Sequence, residues 1–123
     1  MKNLFACSML LMLSATLSLA TDWNGNWVTD HSNRPIATFH LQVTGTSVNG
    51  SVFVFQTRCD FKNGRVIDDT VLNFRGACQD GARIICVIIE RPTFVEVSIE
   101  WHDASGEKSW RRVLSLFRAE RQR

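Results

Sequence analysis

The stretch FVEVSIEWH, residues 94–102, alternates apolar and polar side chains over almost its whole length. Its apolar positions are Val95, Val97, Ile99 and Trp101. A period of two is typical of a β-strand that buries one face and exposes the other. The segment ATFHLQV, residues 37–43, repeats the pattern with Ala37, Phe39, Leu41 and Val43 on the apolar face. Both segments are therefore predicted to be half-buried strands.

Short runs of this kind continue along residues 21–123, separated by Gly, Asn, Asp and Pro, with no helical period of any length. We predict eight strands, at residues 25–30, 35–43, 47–55, 58–67, 70–79, 83–90, 94–102 and 107–119. Eight strands joined by short loops can close into an all-β, antiparallel up-and-down barrel whose lumen holds side chains or one small ligand. A seven-stranded sandwich is the alternative.

The first twenty residues, MKNLFACSMLLMLSATLSLA, have the composition of a secretory signal peptide. Lys2 supplies the positive charge, residues 4–17 are almost entirely apolar, and small residues precede the predicted cleavage after Ala20. We therefore expect a secreted or periplasmic protein with a single domain over residues 21–123. A stable membrane anchor is the alternative, which the short run without a basic flank disfavours.

The hairpin RCDFKNGRVIDDTVLNFRGACQ, residues 58–79, predicts a disulfide. A two-residue turn at Asp68–Asp69 brings Cys59 opposite Cys78 and leaves Cys86 as the spare thiol of the exported chain. The same register puts Asn63 opposite Phe74, Arg65 opposite Leu72 and Ile67 opposite Thr70, all on the cysteine face. A turn at Asn63–Gly64, a strong hairpin dipeptide, is the alternative and would separate the two cysteines.

The first and last strands each carry a residue that would lie at the base of such a barrel. In an up-and-down barrel Trp27, in GNW, and Arg118, in LFRAER, lie low on neighbouring strands. A Gly-x-Trp followed by a basic residue in the last strand resembles the calycin pattern of lipocalins and avidins. The resemblance implies that Trp27 plugs the barrel base with Arg118 packed across its ring, a contact of about 0.5–2 kcal/mol. Trp23 is either a second plug or a surface residue.

The resemblance to avidins does not extend to their ligand. The hydroxyl-bearing residues that avidins direct at biotin would fall at Val52 and Val54, which cannot donate a hydrogen bond. Biotin binding is therefore not expected.

Catalysis is not expected from this sequence. It contains no Gly-x-Ser-x-Gly, no Cys/His pair and no phosphate-binding glycine loop. Asp68–Asp69 is interpreted as a turn, and His31, His40 and His102 are interpreted as surface residues. No Cys-x-x-Cys motif exists and the histidines lack ligand spacing, so we predict neither a metal nor a cofactor. Without Lys2 the chain has thirteen basic and twelve acidic residues, and a net charge this close to zero does not indicate a nucleic-acid partner.

Binding is the better supported class of function. We place Trp101 and Trp110 at the upper mouth, joined by a turn at Ser105–Gly106. The predicted ligand-binding residues are Phe61, Asn63, Arg65, Phe74, Trp101, Trp110 and Arg112. An inward charge costs several kcal/mol unless it is paired, so these arginines should meet either a buried partner or a ligand. A packed lumen with Arg112 reaching the rim is the alternative.

The run RIICVIIE, residues 83–90, is apolar on both faces. We assign Ile85, Val87 and Ile89 to the inside, which leaves Ile84, Cys86 and Ile88 outside together with Phe53 and Phe55. An outer apolar surface indicates contact with another chain. A register error of one residue, or coverage by the N-terminal segment, is the alternative.

Two functions therefore follow from these patterns. The first is a non-enzymatic barrel that holds a small apolar ligand in its lumen. The second is a protein-binding module, such as an inhibitor of an extracellular hydrolase or a homo-oligomer.

Overall fold

The computed structural model describes residues 21–119 as a closed antiparallel barrel of eight strands. The strands are β1 (Gly25–Val28), β2 (Ala37–Thr44), β3 (Ser47–Val54), β4 (Thr57–Ile67), β5 (Val71–Cys78), β6 (Arg83–Glu90), β7 (Val95–His102) and β8 (Ser109–Arg118). Each strand pairs with the next, and β8 returns to β1. The predicted all-β meander is confirmed, and the predicted signal peptide lies outside the described residues.

The interior of the barrel is filled by side chains. The inward-facing residues with no accessible surface are Ala37, Phe39, Val48, Val52, Leu72, Ile84, Cys86, Ile88, Val97 and Ile99. At the centre, the Phe61 ring stacks on Phe74 with centroids 3.9 Å apart, and Phe39 meets Phe74 edge-on at 6.2 Å. A side chain with no accessible surface borders no space as large as a water molecule. The middle of the lumen is therefore packed to the density of a protein core.

Strand β6 is turned the opposite way from our prediction. Ile84, Cys86 and Ile88 face the lumen and have no exposed surface, whereas the Ile85, Val87 and Ile89 set faces outward. A strand that is apolar on both faces has no alternation from which to determine its orientation. Its neighbours determine it, because Cys86 pairs with inward-facing Phe74 on one side and inward-facing Ile99 on the other.

The predicted disulfide is present. Cys59 and Cys78 are direct partners across β4 and β5 and are bonded, while Cys86 is free and buried. The predicted register holds from this pair to Phe61 opposite Gly76. The predicted two-residue turn at Asp68–Asp69 is wrong, because Ile67 pairs with Val71 and the turn contains residues 68–70. A one-residue bulge in β4 offsets the extra turn residue, so the two cysteines still lie opposite each other.

A β-bulge then shifts the rest of the hairpin by one residue, so that Arg65 pairs with Asn73. Asn63 adopts a left-handed φ of 60° within the bulge, and Gly64 takes the inward position. The predicted inward orientation of Asn63 and Arg65 is therefore wrong, as are the pairings predicted beyond the bulge, including that of Ile67. The alternative turn at Asn63–Gly64 is wrong too, because β4 continues to Ile67.

The lower end of the barrel, where β1 begins and β8 ends, is covered by residues 21–24. Trp27 and Arg118 are direct partners, and the guanidinium lies 4.4 Å from the indole centroid. Arg118 also donates hydrogen bonds to the backbone oxygens of Asn24, at 2.9 Å, and Asp22. The Trp27 indole donates to the Trp23 carbonyl at 3.0 Å, and both tryptophans are buried. Trp23 is therefore part of the base and not a surface residue.

Candidate functional site

The upper end of the barrel, where β7 ends and β8 begins, carries three aromatic rings and an arginine. We name Phe55, Trp101, Trp110 and Arg112 the upper rim cluster. The two tryptophans are direct strand partners, and their rings stack with centroids 5.9 Å apart and an interplanar angle of 16°. Phe55 meets Trp110 edge-on at 5.5 Å. The Arg112 guanidinium lies 6.0 Å from the Phe55 centroid and 5.9 Å from that of Trp110.

The loop between the two tryptophans is held by one carboxylate. Asp103 accepts hydrogen bonds from the Gly106 backbone N–H at 2.8 Å and from the Ser105 hydroxyl at 2.9 Å. Desolvation acts against ionisation, but these hydrogen bonds and those from the neighbouring backbone N–H groups hold the pKa of Asp103 below its ordinary value. Gly106 adopts a φ of 81°, which suits glycine. The ionised Asp103 carboxylate therefore holds the loop in one conformation, and this loop joins the two strands that carry the tryptophan pair.

Phe55 reaches the cluster through a turn that is unusual for a large residue. Phe55 and Gln56, between β3 and β4, have φ angles of 49° and 71°. The left-handed region is strained for a bulky side chain and is often found at functional sites. Phe55 was predicted only to face outward, and the signal that could have found it is its position in a two-residue turn at the upper end.

The upper rim cluster is accessible from solvent. Phe55 is 53 % exposed, Arg112 is exposed, and both tryptophans are half-buried. Among residues 21–119, the contacts of basic side chains with carboxylates are Arg58–Asp60, Arg91–Glu96 and the hydrogen bond between His102 and Glu100. Arg112 therefore has no carboxylate partner in the described part of the chain, and its guanidinium is available to bind an anion.

The barrel closes through the lower end of β8, where two residues of β8 pair with β1. β1 pairs with β8 through Trp27 with Arg118 and Val28 with Phe117, so no strand within residues 21–119 adjoins Ser109–Leu116 on that side. The burial of inward positions reflects the gap. Val97 and Ile99 on β7 have no exposed surface, whereas their partners Leu114 and Arg112 on β8 are half-buried and exposed.

The predicted ligand-binding residues separate into three groups. Trp101, Trp110 and Arg112 come together at the upper rim. Phe61 and Phe74 belong to the packed interior, with 3 % and 2 % of their surface exposed. Asn63 and Arg65 lie exposed on β4, away from the rim. Asn63 and Arg65 thus share an outer groove of about 290 Å³, and the first group is the one that combines aromatic rings with a guanidinium at the end of the barrel.

An apolar outer surface adjoins the upper rim cluster. Phe117, Val28, Thr38 and Phe53 follow one another in register across β8, β1, β2 and β3. Phe53 and Phe117 are 45 % and 43 % exposed, more than core residues would be. Beside them a groove of about 520 Å³ is lined chiefly by Pro35, Ile36, Thr38, Phe53 and Phe55. The accessible aromatic surface therefore continues from the rim onto the outer wall.

A second groove crosses the outer face of β4–β7 and has a volume of about 480 Å³. Gly76, Ala77 and Ile85 form its apolar floor, and its charged walls carry Asp60, Lys62, Arg75, Arg83 and His102. The arginines and the lysine are exposed, so water can solvate their charges without a ligand.

Comparison of the chain with models of protein families, with curated proteins and with solved structures gave no match. In the described part of the chain, no helix is long and apolar enough to cross a membrane. The Cys59–Cys78 disulfide fits a location outside the reducing cytosol.

Proposed function

We propose that this chain is an exported, non-enzymatic binding protein of calycin-like architecture that recognises a protein partner at its upper end. The observation that carries the proposal is a packed interior beneath an accessible aromatic cluster. A small apolar molecule could enter the middle of the lumen only by displacing side chains such as Phe39, Ile84 and Ile99, which have no exposed surface. Binding surface is available instead at the upper rim cluster.

The composition of the rim supports a protein partner. Tryptophan and arginine are the residues most enriched among those that dominate the binding energy of protein interfaces, and aromatic residues are enriched in interfaces generally. Trp101, Trp110 and Arg112 occur here together, and the exposed rings of Phe53 and Phe55 extend the surface. An inhibitor of an extracellular hydrolase, which covers an enzyme with such a surface, is the specific form that we favour.

The calycin-like assignment rests on the barrel base and the strand order. The closed eight-stranded meander, Gly25-x-Trp27 at its start and Arg118 against the indole support it. Val52 and Val54 are buried in the interior, so no hydrogen-bond donor replaces the hydroxyl-bearing residues of avidins. The proposal therefore includes the calycin architecture without a calycin lumen ligand.

Catalysis is not part of the proposal. His40 is hydrogen-bonded to the Asn26 side chain at 2.8 Å, and His102 to Glu100 at 2.7 Å, both on the outer wall. Neither histidine belongs to the upper rim cluster. The rim offers aromatic surface and a guanidinium, which bind and orient but do not supply a nucleophile.

A second candidate is a small flat apolar ligand bound at the rim. It is favoured by the half-buried stacked pair of Trp101 and Trp110 beside the gap at β8. Such a ligand would lie on the tryptophan pair and change its fluorescence. If the rim binds a protein and no small apolar ligand, adding lipophilic compounds should leave the tryptophan fluorescence unchanged.

The test is photocrosslinking in the native secretion, with a photoreactive residue built into the protein itself. A photoreactive phenylalanine analogue at Phe55 reports on the rim, and the same analogue at the exposed Thr46, in the β2–β3 turn at the lower end, is the matched control. We expect a discrete protein adduct from Phe55 and none from Thr46, and we expect Trp110→Ala to remove the adduct. Equal adducts at both positions, or no adduct together with a fluorescence response to lipophilic compounds, would contradict the proposal.

A further inference from the structure

We infer that the partner binds by adding an extended segment to the unpaired edge of β8, with acidic side chains directed at Arg112. This inference rests on the proposed function and names the element of the partner that is recognised. We define the open edge as the backbone N–H and C=O groups of Arg111, Val113 and Ser115.

The backbone groups of successive residues in β8 point alternately towards β7 and towards β1, and two hydrogen bonds show which set faces the gap. The Ala119 N–H donates to the Asn26 carbonyl at 2.9 Å, so odd-numbered residues at this end of the sheet bond towards β1. On the other side, the Asp103 N–H donates to the Lys108 carbonyl at 2.9 Å, so even-numbered residues bond towards β7. Arg111, Val113 and Ser115 therefore direct their backbone groups away from β7 and into the gap.

Nothing in the described part of the chain pairs with the open edge. β1 ends at Val28, and the next residue, Thr29, donates its N–H to Ala37 in β2 at 3.1 Å. No backbone or side-chain hydrogen bond among residues 21–119 reaches the backbone of Arg111, Val113 or Ser115 from the gap. An extended peptide satisfies such a row of donors and acceptors, as in β-strand addition.

The edge lacks two of the features that usually prevent pairing, a proline and a bulge, although it carries the charged Arg111 and Arg112. Edge strands are commonly protected by proline or by a bulge. β8 contains no proline, and its pairing with β7 runs from Ser109 to Leu116 without a register shift. Val113, in the middle of the edge, is 57 % exposed, the largest value among the exposed large hydrophobic residues. A regular and partly apolar edge is suited to accept a strand.

The charges along the edge select the partner's side chains. Arg111 and Arg112 are both exposed, and neither takes part in an ion pair with a described carboxylate. Side chains of an added strand alternate, so one set would face Arg112 and Trp110 and the other would face Val113. Charge complementarity makes the first set acidic, because a carboxylate can bind a guanidinium through two hydrogen bonds. The partner segment therefore alternates acidic and apolar residues.

The first test is amide hydrogen exchange in the purified full-length protein. We expect fast exchange at Arg111, Val113 and Ser115 and slow exchange at Arg112 and Leu114, which bond to β7. Slow exchange at all five amides in a monomer would overturn the inference, because the edge would already be covered by the protein's own chain. A dimer in solution that dissociates in Val113→Pro would also overturn it, because a second copy would occupy the edge.

The second test uses a peptide probe, Thr-Glu-Val-Glu-Val-Glu-Thr, blocked at both ends. We expect saturable binding that slows exchange at the three edge amides. Replacing its Glu residues by Lys, or methylating its backbone nitrogens on the edge-facing side, should weaken binding at least tenfold. Equal binding of the Glu and Lys peptides, or no binding of the Glu peptide, would overturn the inference.

Val113→Pro supplies the matched variant on the protein side. In the original chain the Val113 N–H points into the gap and makes no hydrogen bond within residues 21–119. A proline at this position therefore removes an edge donor without removing a bond to β7. We expect Val113→Pro to lose peptide binding and Val113→Ala, which keeps the N–H, to retain it. The backbone-methylated peptide provides the same test if the proline variant does not fold. A rim crosslink without peptide binding would leave the proposed function standing and reject strand addition alone.

Discussion

The guanidinium of Arg118 lies 4.4 Å from the centroid of the Trp27 ring, and the two residues are direct partners across β1 and β8. The ladder between these strands contains only one further pair, Val28 with Phe117. The contact therefore joins one of the two residue pairs in the short β1–β8 ladder, beside the hydrogen bond from the Ala119 N–H to the Asn26 carbonyl. Through its hydrogen bonds to Asn24 and Asp22, Arg118 also fixes residues 21–24 across the base.

Removing Arg118 should weaken this closure. Arg118→Ala loses the cation–π contact and two hydrogen bonds to backbone oxygens, so we expect the free energy of unfolding to fall by about 1–3 kcal/mol. Arg118→Lys should recover only part of that loss, because an ammonium group cannot stack on the indole as a guanidinium does. Urea denaturation measures both, with Arg34→Ala in an exposed loop as the control. Equal effects of Arg118→Ala and Arg34→Ala would contradict the role of the contact.

The orientation of β6 can be tested with neighbouring isoleucines. Ile88 is fully buried in the lumen and Ile89 faces outward. We expect Ile88→Ala to destabilise the fold by about 2–5 kcal/mol because it leaves a cavity in a packed interior. Ile89→Ala, the matched control, should cost about 1 kcal/mol or less. Thermal and urea unfolding would compare the pair, and a larger loss for Ile89→Ala would mean that β6 is inverted.

The bulge in β4 makes a prediction about Gly64. A Cβ atom at this position would lie 2.6 Å from the Cβ of Phe74, a distance that forces the two strands apart. We expect Gly64→Ala to destabilise the protein by about 1–3 kcal/mol through overpacking. Gly45→Asn is the control, since Gly45 has a φ of +61° with open space around it and asparagine tolerates that conformation. Similar unfolding midpoints for the two variants would argue against the bulge.

The disulfide should contribute strongly to stability. Cys59 and Cys78 are 19 residues apart in sequence, and closing a loop of that size restricts the unfolded chain by about 3 kcal/mol. The double variant Cys59→Ala, Cys78→Ala should unfold at correspondingly lower urea concentration, whereas Cys86→Ala should keep the oxidised pair. In a chain that begins at residue 21, thiol titration under denaturing conditions should find one free thiol, and in Cys86→Ala of the same chain it should find none.

The buried thiol of Cys86 should make stability depend on alkaline pH. Burial raises the pKa of Cys86 well above its ordinary value. In the unfolded chain a cysteine thiol ionises near pH 8.5, about its ordinary value, so above that pH the unfolded state loses a proton that the folded state keeps. The stabilisation is fully present below that pH and falls as the pH rises towards the folded pKa, at up to about 1.4 kcal/mol per pH unit.

The measurement is the urea midpoint at about pH 7 and about pH 10 in the original chain and in Cys86→Ala. The chain contains no tyrosine, which removes one other group that titrates in this range. We expect the original chain to lose more stability than Cys86→Ala between the two conditions. Parallel losses would show that Cys86 is accessible to solvent in the folded state.

The alternation of apolar and polar residues was enough to predict the strands that bury one face. Residues 37–43 and 94–102 alternate clearly, so their inward residues were predicted correctly from sequence. β6 could not be assigned in this way, because both of its faces are apolar and only its neighbours distinguish them. Asn63–Gly64 was also ambiguous, because the same dipeptide suits a hairpin turn and a bulge, and the choice depends on the contact of Gly64 with Phe74.

The candidate site was predictable in part. The pairing of Trp101 with Trp110 follows from one short turn, so the sequence placed both at the upper mouth. The approach of Phe55, on the turn between β3 and β4, joins residues that are far apart in the chain. The open edge of β8 could not be predicted from the sequence, because nothing in the local pattern shows that β1 ends at Val28 while β8 continues upward.

By itself the sequence determined the eight-stranded meander, because the strands depend on alternation within short segments. It also predicted the Cys59–Cys78 pair, although the turn is one residue longer than predicted and a bulge in β4 offsets the difference. Only the tertiary structure decided the orientation of β6, the packed lumen and the unpaired edge of β8. These features depend on which side chains fill the same space across the barrel and on how far the first and last strands overlap. Both are set by packing between segments that are distant in the chain.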